Sequence, residues 1–351
     1  MIDVSFFHGK SVLVTGHTGF KGSWLCKILS MMGADVHGYS LDPPTSPSLY
    51  QLANIDSIVD SEIGDIVDFE RLYLFFKKVK PDIVFHLAAQ PIVKESYIHP
   101  RETYLTNVVG TVNILECLRL TDCTDSFLNV TTDKVYDNVD IDKYYVESDP
   151  LDGFDPYSNS KSCSELVTHS YRRSFPDIGC KISTARAGNV IGGGDFAKDR
   201  IIPDCIRAAI NNRDIVVRNP NSIRPYQHVL EPLAAYLTIV EKQSKNPEKV
   251  GSYNVGPRQK DCVTTGDLAT LFCKHWSESL KWVSTDYDGP HEANYLKLNS
   301  SLIHKTFDFK PRWNISEAVC KTVQWTKSWL NGDDVEKVMD NQITEYFEGM
   351  I

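Results

Sequence analysis

A doubly wound α/β fold on a parallel sheet (Rossmann-type), with a smaller C-terminal α/β substrate-binding lobe, is the fold class this sequence predicts. Three observations predict it. Short buried apolar runs alternate with helical patterns. The first run leads at once into a glycine-spaced turn and a helix. From residue 189 onward the spacing loosens, as glycines and prolines divide the chain into shorter pieces.

Taken in order, Ser11-Val12-Leu13-Val14-Thr15 reads as a buried strand, a short β-branched run without polar interruption. Gly16-His17-Thr18-Gly19-Phe20-Lys21-Gly22 follows, then an apolar-periodic helix to residue 32. Residues 35–41, 82–87, 127–131 and 181–186 read as later strands with helices between them. Asp155-Pro156 supplies an N-cap and a first-turn proline for a helix carrying Tyr157 and Lys161. Gly192-Gly193-Gly194, Pro203, Pro220, Pro225 and Pro257 punctuate the lobe, and residues 333–347 read as a last amphipathic helix. The expected division is a dinucleotide-binding domain over 1–188 and a mainly substrate-binding lobe over 189–351, some of whose segments return to the first domain.

A chain of 351 residues can bury a sizeable core. Its 37 Lys and Arg against 46 Asp and Glu, a net charge of −9, argue against broad nucleic-acid or anionic-membrane binding. Any phosphorylated ligand must be met by local cations or helix ends. Nine cysteines without a Cys-x-x-Cys pair argue against a disulfide framework or a zinc ribbon, and no metal site is expected. Residues 1–10 lack an apolar signal core and no later run has the length to cross a bilayer, so a soluble cytoplasmic protein is expected.

The spacing Gly16-x-x-Gly19-x-x-Gly22 lets backbone amides approach a pyrophosphate and aims a helix N-terminus at its charge, with His17, Thr18 and Phe20 completing the turn. A glycine turn alone is weak evidence; the strand before it and the helix after it make a dinucleotide site the stronger reading. Asp42 lies at the interval where an acid binds the adenosine ribose of NAD. Ser40 also fits that place, which would leave Asp42 an ordinary turn residue, so NAD is favoured over NADP on this acid alone. Asp65 and Ile66 after Gly64 suit adenine, or Asp65 is a solvated strand-end acid.

Tyr157 and Lys161 stand one helical turn apart, a phenol and an ammonium suited to taking a proton from an alcohol while hydride leaves. A tyrosine near its ordinary pKa of about 10 is rarely ionised at neutral pH without a nearby cation, and Lys161 supplies one. By themselves the two would be read as a solvated helix face; the glycine turn makes the catalytic reading stronger. Thr132-Asp133-Lys134 adds an acid and an amine that oxidation alone does not need, which points to an elimination. For that step the acid must be protonated and the amine neutral. Burial pushes both that way, whereas a salt bridge between them pushes back. Neighbours in a regular strand face opposite sides, so both reach one ligand only from an irregular turn beyond the strand end. The bland alternative is a surface ion pair.

Thr15-Gly16-x-x-Gly19-x-x-Gly22, His86-Leu87-Ala88-Ala89-Gln90, Asn107-Val108-Val109-Gly110-Thr111 and Tyr157-x-x-x-Lys161 together resemble the extended short-chain dehydrogenase/reductase family over nearly the whole chain. The resemblance implies NAD held by the glycine turn with Leu87, Ala88, Ala89 and Asn107, Tyr157 as base, and Lys161 on the nicotinamide ribose. Gln90 would face substrate. Thr132-Asp133-Lys134-Val135-Tyr136 resembles the active-site segment of the family's nucleotide-sugar 4,6-dehydratases. Lys134 departs from the Asp-Glu of those acting on dTDP-glucose and resembles the branch acting on CDP-glucose. So do the strings at 39–45, 186–195, 224–232 and 291–293.

A CDP-sugar substrate is thereby implied, oxidised at C4, stripped of water across C5 and C6, and reduced at C6. In the family's usual setting this supplies deoxysugars for bacterial surface polysaccharides such as the lipopolysaccharide O-antigen. Asn189 resembles the family residue on the sugar-linked phosphate. Arg200, Arg218 and Arg224 suit the diphosphate, or are surface cations. His291 faces the nucleotide or caps a turn. The alternatives are a dehydratase for UDP-N-acetylglucosamine or dTDP-glucose, an epimerase, and a non-catalytic nucleotide-binding protein. The family analogy also implies a homo-oligomer, dimer or tetramer, through the helix over 100–120 and the helix bearing Tyr157.

Overall fold

The computed structural model describes residues 2–285 and 295–350. Its centre is a sheet of seven parallel strands. These are β1 (Ser11–Thr15), β2 (Asp35–Ser40), β3 (Asp60–Ile63), β4 (Ile83–His86), β5 (Ser126–Thr132), β6 (Lys181–Ala187) and β7 (Ser252–Val255). Their spatial order is β3-β2-β1-β4-β5-β6-β7. The chain therefore winds outward one way from β1 and the other way from β4, which opens a crevice at the carboxyl ends of those two strands. The fold class predicted from the alternation is borne out.

Register brings the site segments to one end. Thr15 lies beside His86, His86 beside Asn129, and Thr132 beside Ala187. The sheet is apolar on both faces because helices cover both. Val12, Val14, Phe85 and Leu128 pack to one side with α1 (Phe20–Met31), while Leu13, Val84 and Phe127 pack to the other with α2 (Phe69–Val79) and α3 (Gly110–Thr121). The helix expected over 100–120 is not regular: Pro100–Tyr104 and α3 are joined by a π-helical turn, Leu105–Val109. Such wide turns mark functional sites more often than chance would place them.

α4 (Pro156–Ser174) begins as the sequence predicts, with Asp155 accepting from the Ser158 amide at 2.9 Å and proline in the first turn. Its buried face is polar: Ser158, Ser160, Lys161, Ser162, Ser164, Glu165 and Thr168. Hydrogen bonds hold that face. Ser160 accepts from Asn107 at 2.9 Å, and Ser164 and Thr168 each accept from Asn129 at 2.9 Å. Directional bonds of this kind fix where a helix sits more narrowly than apolar contact does.

Beyond β6 the chain builds a second core from α5 (Ile201–Ile210), a helix at Thr265–Trp276 and another at Ile315–Asn331, with the short strand Ile215–Val217. Other late segments pack on the main sheet. In α6 (Leu230–Lys245) Gln243 donates to the Phe127 carbonyl at 3.1 Å, β7 pairs with β6, and the helix Val335–Tyr346 meets α1 through Lys27 and Glu336 at 2.7 Å. No helix among the described residues is long and apolar enough to cross a membrane.

Candidate active site

The glycine turn closes over the end of β1. Gly16 has φ +76°, and a Cβ there would lie 2.8 Å from the Ala88 nitrogen; one on Gly22 would lie 2.2 Å from the Gly16 carbonyl oxygen. Neither position admits a side chain. α1 starts at Gly19 with no side-chain cap and no acid in its first turn, so its free amides are left for an anion. Thr18 is buried and hydrogen-bonds the Ser40 hydroxyl at 2.8 Å. Ser40 is thereby occupied, whereas Asp42 is exposed and lines a groove with Tyr50, Gln51 and Asn54. The cradle fits a dinucleotide.

Several of the residues expected at the cofactor are engaged within the protein itself. His17 is fully buried, packed on Gly38 and bonded to the Ser61 hydroxyl at 2.7 Å, and burial pushes its imidazole down to about 4. Phe20 packs against Gly192. Asp65 is exposed at the end of β3 and accepts from the Val67 amide at 2.9 Å; Ile66 is buried against Gly110. Leu87, Ala88 and Ala89 leave β4 half-buried. Asn107, on the π-helical turn, clamps both backbone groups of Gln90, at 2.9 and 3.1 Å. The Gln90 amide itself is spent on Ile92 and Thr103, which differs from its expected place on substrate.

The candidate catalytic residues come together at the end of β5. Asp133–Val135 form a 3₁₀ turn directly after the strand, the irregular geometry the adjacent acid and amine required. Thr132 donates to Asp133 at 3.0 Å. Asp133 is 1% exposed and its second carboxylate oxygen has no partner among the described residues, a buried acceptor left open. The Lys134 ammonium lies 3.7 Å from the other oxygen and donates to Asn189 at 3.5 Å. So the expected phosphate residue Asn189 touches the amine.

Tyr157 and Lys161 face this turn from α4. Burial pushes the Tyr157 phenol up to about 12, against its hydrogen bond with Thr132, which lowers it; Asp133 raises it further and the Arg200 charge lowers it. Burial also pushes Lys161 down to about 8, and its ammonium donates to the Val130 carbonyl at 3.0 Å. The ammonium is directed at the backbone, and desolvation outweighs the cations near the phenol.

Arg200 pairs with buried Asp195 at 3.1 Å and feels Tyr157. Arg224 is buried and donates to the Ile223 carbonyl at 2.9 Å. Arg218 instead pairs with Asp199 and Asp204, 3.4 and 3.5 Å away, in a groove of the lobe. His291 lies outside the described residues. Lys21 joins the site unexpectedly. Burial pushes its ammonium down to about 8, helped by the charges of Arg200 and Lys161, while Asp133 raises it. The signal was a cation inside the glycine spacing, overlooked because the glycines carry the pattern.

The sequence pattern of the GDP-mannose 4,6-dehydratase family matches residues 13–322. The chain belongs to that family. Among its relatives, the CDP-glucose 4,6-dehydratase of Salmonella typhimurium is 45% identical over 99% of this chain and 98% of its own. The dTDP-D-glucose 4,6-dehydratase of Mus musculus is 30% identical over 94% of this chain and 93% of its own. The structure of dTDP-glucose 4,6-dehydratase from Bacillus anthracis in complex with NAD superposes with a TM-score of 0.74 at 21% identity, covering 90% of this chain and 96% of that one.

Proposed function

We propose that the protein is a CDP-glucose 4,6-dehydratase, forming CDP-4-dehydro-6-deoxy-D-glucose and water with NAD retained. One observation carries the reading: a buried carboxylate with an open oxygen and an amine share one turn beside Thr132 and Tyr157. The close similarity to the Salmonella typhimurium enzyme supports the CDP-sugar assignment. NAD rather than NADP is supported by exposed Asp42, whose carboxylate suits a ribose diol and repels a 2′-phosphate. The glycine turn and Lys161 would hold NAD, with Asn107 fixing the Gln90 backbone beside it, and the bound cofactor would supply hydride acceptance and return.

Each side chain then has a task. Tyr157 accepts the C4 hydroxyl proton, with Thr132 holding that hydroxyl. The C4 ketone acidifies C5, whose proton passes to the Lys134 amine. Asp133 gives its proton to the C6 hydroxyl, which leaves as water, and as C6 is reduced the Lys134 ammonium returns its proton to C5. Lys21, Arg200 and Arg224 offset the diphosphate charge in a chain whose net charge is −9. Exposed Val109, Leu120 and Leu166 on the helices around the site support the expected homo-oligomer.

Incubation with CDP-, dTDP-, GDP- and UDP-glucose tests the reading, with products identified by mass and NMR. The expected result is loss of one water from CDP-glucose. A stereoisomer of unchanged mass would identify an epimerase, and turnover of another nucleotide sugar alone would move the substrate assignment.

A further inference from the structure

We infer that Arg186 is a positioning residue that ties the elimination pair to the redox pair. The inference rests on the division of tasks proposed above. Arg186 lies in β6, 2% exposed, between β5 and β7. One arm of its guanidinium donates to the Tyr136 hydroxyl at 2.9 Å and to the Glu147 carbonyl at 3.0 Å; the other donates to Glu165 at 2.9 Å. Tyr136 follows the turn that carries Asp133 and Lys134 without a break, and Glu165 lies one helical turn beyond Lys161 on α4. A single planar fork thus spans both halves of the site.

Each end is fastened elsewhere too. Glu165 accepts from Thr131 at 2.5 Å and Thr184 at 2.8 Å, so the carboxylate is held by the strand that ends in Thr132. The Tyr136 hydroxyl donates to Asn254 at 2.5 Å, and the guanidinium lies 5.2 Å from the ring centre. Stability is a poor explanation for such a pair, because apolar residues of similar volume often serve a core as well as a buried ion pair does. Placement explains it better. The fork fixes the distance between a turn that must deliver a proton to C6 and a helix that must receive one from the C4 hydroxyl.

Tyr136→Phe removes one hydroxyl and keeps the ring. Mixed rapidly with CDP-glucose, the variant is expected to oxidise C4 at nearly the parent rate. It should release water roughly tenfold more slowly, a barrier change of about 1.4 kcal/mol. Reduced nicotinamide then accumulates transiently, and the apparent KM falls together with kcat. Arg186→Lys keeps a charge for Glu165 but loses the fork, and is expected to show the same accumulation; it decides the matter if Tyr136→Phe does not fold. Equal slowing of both steps, or a variant indistinguishable from the parent, would overturn the inference. A parent that itself releases no water from CDP-glucose would instead remove the proposed function, and this inference with it.

Discussion

Burial holds the Tyr157 phenol up at about 12 and the Lys161 ammonium down at about 8, so that near neutral pH the phenol keeps its proton while Lys161 still carries most of its charge. Both shifts share one cause, burial, which disfavours each charged form. Spacing on a helix made the two residues legible, but desolvation was not, because it depends on every element that closes over them. Lys161 is expected to lose its proton as pH rises through about 8 in the cofactor-free protein. Lysine side-chain NMR after reductive methylation should show two resonances titrating there, those of Lys21 and Lys161, with one of them missing in Lys161→Arg. A Lys161 resonance titrating at the ordinary lysine value would contradict the burial argument.

At the scale of elements, the glycine turn and α4 were readable because their signals are local: three glycines at fixed spacing, an Asp-Pro cap, a phenol and an amine four residues apart. The π-helical turn was not. Nothing in Leu105-Thr106-Asn107-Val108-Val109 breaks a helix, and the widened turn is fixed by what Asn107 grips across the crevice, Gln90 and Ser160. The glycine turn carries its own prediction. Gly22→Ala would drive a methyl to 2.2 Å from the Gly16 carbonyl oxygen, where the backbone must move. NAD affinity measured by calorimetry is expected to fall at least about tenfold, roughly 1.4 kcal/mol. Affinity equal to the parent's would contradict the close-packed cradle.

For the whole molecule, alternation along the chain predicted the parallel sheet and a partial return of the late segments to it, while which of those segments return carries no sequence mark. Glu231 shows how one of them is held. This acid of α6 is 1% exposed and accepts from the Arg312 amide at 3.0 Å, the Trp313 amide at 2.7 Å and the Tyr346 hydroxyl at 2.8 Å. Burial pushes its carboxyl from 4.5 up to about 7, although those bonds lower it. A group whose pKa is raised on folding stabilises fully below its unfolded value and loses that contribution as pH rises through the folded one. The loss here is on the order of 3 kcal/mol. Thermal unfolding followed from pH 5 to 8 should fall more steeply for the parent than for Glu231→Gln; parallel curves would contradict this.

In the proposed function the pairing of Asp133 with Lys134 on one turn separates a dehydratase from a plain sugar oxidoreductase, and the two residues are adjacent in the sequence. Stopped-flow measurement of nicotinamide reduction in Lys134→Ala and Asp133→Asn mixed with CDP-glucose tests it most directly. The account predicts that both variants reduce the cofactor in a first phase like the parent's and then hold it reduced, releasing no water. Loss of that first phase, or parent-like release of water after it, would contradict the account.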